Sequence, residues 1–362
     1  MMHWIRCDEG AAVRRGRCEQ DPDAVDVMES VQGAAVRLFP GDLVRRRLAD
    51  LVSQLATAGA VIAICVYLTF ASPYFLTSTN LANVVVQAAV TAVIATGMTI
   101  VIITAGIDLS VGSVAALAGV LGTKMMVQAH MAWPLAVLGG SAVGLACGLG
   151  NGLLVTRASL APFIATLGMT SVARGLTYIV TGAVAVYGVP DAFRLLGGGN
   201  VGPLPVPLLV LVGVALAAHL LLTWTRLGRY AYAIGSNSEA ARLAGIPVGR
   251  FLVIVYCLQG LLAGFGGMIA ASRTNSGQPN FGVGLELDVI AAAVIGGASL
   301  FGGQGTILGT LLGAFLIELI RNGSVLLNID VFVQSVIIGL IIWLAVAWDQ
   351  FRRRRLTQRR RG

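Results

Sequence analysis

The stretch TAGIDLSVGS, Thr104 to Ser113, sets a carboxylate between two long apolar runs in a chain whose charged residues make up only 12% of the total. A carboxylate at the centre of a bilayer costs about 2.5 to 3.5 kcal/mol on insertion scales, so Asp108 belongs where the helix is interrupted. Gly106 breaks the helix just ahead of it, and Asp108 and Ser110 can then cap a helix that starts near Val111. Two readings follow, and both can hold. One is a cap at a membrane-embedded turn; the other is a hinge, made by Gly106, Asp108, Ser110 and Gly112, between two spans that move against each other.

The second informative stretch is RLGRYAYAIGSNSEAARLAGIPVGR, Arg226 to Arg250, the longest polar loop between apolar runs. Ser236 and Glu239 have the S-x-x-E spacing of a capping box, Gly245 suits the position after a helix end, and Pro247 stops continuation. The spacing predicts a helix of about two turns over Asn237 to Ala244, with Arg242 on it and with Ala240, Ala241 and Ala244 giving a low-relief surface. A helix this short is not stable alone in water. It is either an ordinary amphipathic loop helix or a piece seated in a groove on a partner protein.

The missing motifs narrow the chemistry. The only lysine is Lys124, preceded by Thr123, so there is no GxxxxGK[ST] phosphate loop; His3, His130 and His219 form no HExxH, and no GxSxG occurs. Cys7, Cys18, Cys65, Cys147 and Cys257 show no CxxC or metal-ligand spacing. No catalytic or metal site is expected, and energy from ATP must come from another subunit. Within the spans, Glu318 and Arg321, three apart, are expected to pair locally. Arg174 is expected to snorkel or to line a path, and Glu286 and Asp288 to be solvated at the outer mouth.

These residues must be held by apolar helices. With 56% hydrophobic residues, 46 glycines and a mean hydropathy of +0.83, the chain reads as an all-α polytopic membrane protein. About 20 apolar residues cross a bilayer, which gives ten spans: 51–70, 81–103, 111–127, 133–155, 162–180, 205–224, 251–271, 287–300, 306–320 and 331–348. The eighth and ninth are short and glycine-interrupted, and are expected to be broken or re-entrant. Residues 1–50 read as a disordered cytoplasmic tail, so unlike the rest in composition that a start at Met28 is expected. Residues 51–348 form the membrane domain, with the loop at 226–250, and residues 349–362 a basic cytoplasmic tail.

The net charge of +8 does not signal nucleic acid, because the charge sits at the edges. Eight of the 25 basic residues precede the first span and seven follow the last. By the positive-inside rule both termini, and the loops with Arg157, Arg226, Arg229, Arg242 and Arg250, lie in the cytoplasm. Stripes of glycine at every fourth residue, Gly140, Gly144 and Gly148 in one span and Gly305, Gly309 and Gly313 in another, let helix backbones approach closely in lipid.

Four long stretches resemble the permease subunit of bacterial ABC importers for monosaccharides, the ribose, xylose and galactose group. They are GMTIVIITAGIDLSVGSVAALAG (97–119), FIATLGMTSVARGLTYIVTG (163–182), TRLGRYAYAIGSNSEAARLAGI (225–246) and LELDVIAAAVIGGASLFGGQGTILGTLLGA (285–314). They follow the family's order and spacing over nearly everything after residue 50. The resemblance implies a type II-like permease of about ten helices, two permease chains side by side in the inner membrane, a periplasmic sugar-binding protein and a cytoplasmic ATPase that binds ATP and Mg. It also implies that Ser236, Asn237, Glu239, Ala240, Ala241, Arg242 and Gly245 form the loop that docks on the ATPase. The long amino-terminal tail departs from the family pattern, and so does Gln304, where lysine is expected. A stand-alone secondary carrier is the alternative function.

Overall fold

The computed structural model describes residues 40–358. Helix α1 (Pro40–Ala71) is followed by α2 (Ser78–Ile103), α3 (Val111–Val127), α4 (Trp133–Thr156) and α5 (Pro162–Thr181). A 3-10 turn (Asp191–Phe193) then leads into α6 (Arg194–Gly198) and a two-residue antiparallel hairpin, β1 (Asn200–Val201) and β2 (Leu204–Pro205). The rest is helical: α7 (Val206–Trp224), α8 (Arg226–Ser236), α9 (Ser238–Leu243), α10 (Val248–Thr274), α11 (Leu285–Ile295), α12 (Ile307–Leu326) and α13 (Val331–Gln358). Most of the expected amino-terminal tail lies outside the described residues, but from Pro40 the chain is helical rather than disordered. The expected carboxyl-terminal tail is likewise helical as far as Gln358.

The membrane domain is the compact unit Asp50–Gly362. Seven described helices are long and apolar enough to cross a membrane, and α3 and the described part of α13 are shorter apolar helices. Local chemistry fixes their ends. Pro134, Pro162 and Pro207 stand in the first turns of α4, α5 and α7, where no amide hydrogen is needed. The Thr77 hydroxyl accepts the Asn80 amide hydrogen at 3.3 Å to start α2.

Helix α2 is the post around which the others stand, buried continuously from Ala88 to Thr104. Against it α12 runs antiparallel, joined by polar rungs at three levels. Asn80 and Asn322 exchange amide hydrogen bonds of 3.1 and 2.7 Å, Thr91 donates to Glu318 at 2.9 Å, and the hydroxyls of Thr99 and Thr310 meet at 2.6 Å. Such bonds hold membrane helices together at about 0.6 kcal/mol each on average.

Glycines decide the closest helix pair. Gly144 and Gly148 of α4 face Gly260 and Gly264 of α10 so closely that a methyl on Gly144 would overlap the Gly260 carbonyl oxygen, and one on Gly260 the Gly144 oxygen. Gly140 abuts the Ala118 carbonyl oxygen. On α12, Gly309 meets Gly296 and Gly313 meets Ala292, which joins α12 to α11. Gly305 is not part of that stripe: it precedes the helix, in coil, with φ of 150°.

The ninth expected span is the unbroken 20-residue α12, so the expectation of a break there is corrected. The eighth is the 11-residue α11, preceded by a re-entrant coil over residues 275–284. That coil returns along α3, with Gly277 against Val120 and Thr123 and Gly282 against Gly112, a descent of about 16 Å at 1.5 Å per residue.

Candidate functional site

Thr225 starts α8 with its hydroxyl accepting the Leu227 amide hydrogen at 3.1 Å. The helix is amphipathic: Gly228, Ala231, Ile234 and Gly235 are buried, while Arg226 and Arg229 are exposed. Asn237 then turns extended, with φ of −164°, and its Oδ1 accepts the Ala240 amide hydrogen at 2.9 Å to open α9. The N-cap is therefore Asn237, not Ser236, which is the last residue of α8. Glu239 does not complete a capping box; it takes two hydrogen bonds from Arg242, at 2.5 and 3.0 Å. Arg242's hydrogen bond and charge hold the Glu239 carboxyl below the usual carboxylate range.

The far end of α9 is closed by bonds from Gly245 to the Arg242 carbonyl and from Ile246 to the Ala241 carbonyl, both 3.0 Å, with Gly245 at φ of +82°. This is a Schellman ending, and glycine is the residue that adopts it without strain. Ala240, Leu243 and Ala244 are exposed, but Ala241 is buried against the chain itself and so is not part of an outward surface.

What lies beneath this knob gives it mechanical meaning. The buried end of α8 rests on two irregular segments, the linker between α2 and α3 and the glycine loop between α11 and α12. A methyl on Gly235 would overlap the Ile103 carbonyl oxygen, and the Gly303 amide donates to that same oxygen at 2.8 Å. The Tyr232 hydroxyl donates to the Gly305 carbonyl at 2.7 Å. Gly302 and Gly303, at φ of +82° and +73°, pack against Ala105 and Ser236.

The linker is built differently from the sequence expectation. Helix α2 ends in a Schellman motif, with Gly106 donating to Val101 at 3.0 Å and Ala105 to Ile102 at 2.9 Å. The left-handed residue is Ala105, at φ of +61°, not Gly106. A non-glycine residue held there stores about 1 to 2 kcal/mol. Gly106 is needed for space instead: a Cβ would lie 2.8 Å from the Tyr256 hydroxyl. Gly112 is the second residue of α3, outside the break.

Asp108 is 1% exposed. Its Oδ1 accepts from the Ser110 amide at 2.8 Å and the Ser110 hydroxyl at 2.6 Å, and Asn151 of α4 donates to that hydroxyl at 3.0 Å. Ser110 occupies the N-cap position of α3 but caps nothing with its side chain. From α5, Thr170 donates to the Leu109 carbonyl at 2.9 Å. The linker is thus a polar knot through which α2, α3, α4 and α5 meet.

The expected charge pairs also differ. Arg321 pairs with Asp288 at 2.5 Å rather than with Glu318, which is taken by Thr91. Asp288 is buried and not solvated. Arg174 reaches the coil between α10 and α11, where its Nη1 donates to the carbonyls of Pro279 and Phe281 at 2.8 Å each. No group of histidine, cysteine, aspartate and glutamate suited to a metal occurs among the described residues. Tyr232, Gly235, Gly302, Asn151 and Tyr256 carry no local sequence signal, because their roles depend on contacts between distant segments.

A family model described as "Branched-chain amino acid transport system / permease component" matches residues 80–346. The ribose import permease protein RbsC of Escherichia coli (strain K12) is 42% identical over 303 residues, covering 83% of this chain and 94% of that one. Its namesake from Bacillus subtilis (strain 168) is 42% identical over 281 residues, 77% of this chain and 87% of that one. The D-allose transport system permease protein AlsC of Escherichia coli (strain K12) is 38% identical over 289 residues, 80% and 89% respectively. No solved structure matches. The match to the family model over most of its length, on a bundle of membrane-length helices, establishes that the chain belongs to this family of transport-system permease components.

Proposed function

We propose that this chain is the membrane-spanning permease of an ATP-driven importer of a monosaccharide, with ribose-like pentoses and hexoses as its substrate class. The relatives named for ribose and D-allose align along almost their whole length, and this supports a sugar rather than an amino acid as cargo. Both termini and α8–α9 face the cytoplasm of a bacterial inner membrane, a reading supported by the 20 of 25 basic residues that then lie on that side. A periplasmic binding protein delivers the sugar, a second permease chain completes the path, and a separate cytoplasmic ATPase binds ATP and Mg and carries out hydrolysis.

The observation that carries the coupling part is the seating of α8 on Ile103. An exposed capped knob rests, backbone on backbone, on the segments where α2 ends and α12 begins. A push on α9 reaches both without crossing a flexible side chain. Alternating access needs two packings of similar energy, and the glycine seams let α4 slide on α10 and α11 on α12. The test is Glu239→Lys, which reverses a charge on the exposed face of α9. Sugar uptake in cells should be lost while the chain stays in the membrane; uptake at the wild-type rate removes α9 from the coupling role.

A further inference from the structure

Arg174, Tyr178 and Glu286 come together where the re-entrant coil turns into α11. Arg174 sits about 18 Å along α5 from its start, counting 1.5 Å per residue, and this places it well inside the bilayer span. Its Nη1 is engaged by the Pro279 and Phe281 carbonyls. Its other guanidinium hydrogens have no partner among the described residues. Tyr178, one turn further along α5, is 39% exposed, and Glu286 is partly exposed in the first turn of α11. Glu286 stands with Gly282 against Gly112, and Gly282 follows the Phe281 whose carbonyl Arg174 holds. Glu286 makes no hydrogen bond or ion pair among the described residues, and its carboxylate lies beside the Gly112 backbone.

The face of α5 next to this cluster is not covered by the described residues: Gly168 and Gly175 have none of their atoms within 4 Å of where a Cβ would be. Irregular backbone at membrane depth is tolerated only where it is buried in protein or lines a polar cavity. Ionisable groups there face one another or a solute path, and interrupted helices supply substrate sites near the midplane. A guanidinium with spare donors, a carboxylate with spare acceptor capacity and an exposed aromatic ring match the hydroxyls and the C–H face of a sugar.

We propose that Arg174, Tyr178 and Glu286 at the tip of the re-entrant coil form the contact that the passing monosaccharide makes with this chain near the middle of the bilayer. The guanidinium donates to hydroxyl oxygens, the carboxylate accepts hydroxyl hydrogens, and the ring packs on the sugar's C–H face. All three are only partly buried, so the contact is weak enough to let the solute leave, as conduction requires. The proposal rests on the reading of the chain as a sugar permease.

The test reconstitutes the chain with its ATPase and binding protein in proteoliposomes and measures uptake of labelled ribose, allose and arabinose, and of 2-deoxyribose. Wild type is compared with Glu286→Gln, Tyr178→Leu and the exposed control Arg194→Gln. Loss of a charged hydrogen-bond partner should lower sugar moved per ATP hydrolysed by about tenfold in Glu286→Gln and reduce its discrimination against the deoxy sugar. Tyr178→Leu should lower uptake of every sugar, and Arg194→Gln should match wild type. Wild-type rates and discrimination in both site variants overturn the proposal and leave the sugar reading standing. If the wild-type complex moves none of these sugars, the sugar reading falls, and the proposal falls with it.

Discussion

Gly235 lies against the carbonyl oxygen of Ile103 with no room for a methyl between them, and the Gly303 amide holds the same oxygen from another segment at 2.8 Å. One backbone atom thus joins the knob helix, the end of α2 and the loop ahead of α12.

Gly235→Val should therefore push α8 off its seat, at about 1 to 3 kcal/mol for overpacking of this kind. Uptake should fall steeply while the chain still reaches the membrane fraction, as read by transport assay and immunoblot. Gly249→Ala is the control, since its nearest neighbour is the Thr156 Cβ at 3.9 Å, and it should transport normally.

Asn237→Ala removes the acceptor for the Ala240 amide and should destabilise α9 by about 1 kcal/mol. Since α9 is the proposed docking piece, affinity for the ATPase should weaken roughly fivefold, measurable by titrating ATPase onto detergent-solubilised permease. Asn237→Asp keeps an acceptor oxygen and should bind nearly as wild type.

The Glu239–Arg242 pair sets a pH expectation. The Glu239 carboxyl is held below its usual range by Arg242, so the pair's contribution is present above the unfolded-state carboxylate pKa and is lost as pH falls through the lower folded value. Docking should be flat with pH across the neutral range and weaken only under acid conditions. Both groups are exposed, so the effect is small. A binding midpoint near neutrality would assign the dependence to another group.

Asp288 and Arg321 predict an asymmetry between single and double replacement. Arg321→Leu leaves a buried carboxylate unpaired and should cost about 3 kcal/mol, the low end for buried pairs because the Arg321 side chain is 42% exposed. Asp288→Leu combined with Arg321→Leu should recover most of the loss. Thermal unfolding in detergent checks both; equal losses in the single and double variants would mean that the pair is not what holds α11 to α12.

Helix positions were legible in the sequence because a bilayer demands long apolar runs and because glycine, proline and capping residues mark helix ends locally. Each of the ten expected spans has a helix at its place, within a few residues for most. The contacts between segments were not legible. Ser236 and Asn237 both suit an N-cap, and only the end of α8 at Ser236 decides between them. Gly106 reads in the sequence as the helix breaker, but the left-handed residue is Ala105, and what keeps Gly106 a glycine is the Tyr256 hydroxyl, brought beside it from a distant helix. Glu318 had a sequence neighbour of opposite charge in Arg321, yet Asp288 from another helix takes that arginine. In each case a local rule lost to a partner far away in sequence.

The central claim is that this permease has no pump of its own and is worked through α9 by an ATPase. The most direct measurement is solute accumulation in proteoliposomes, with the purified chain alone under an imposed ion gradient and with the chain plus ATPase, binding protein and ATP. The account predicts accumulation against a gradient only in the complete system. Uphill accumulation by the chain alone would contradict it.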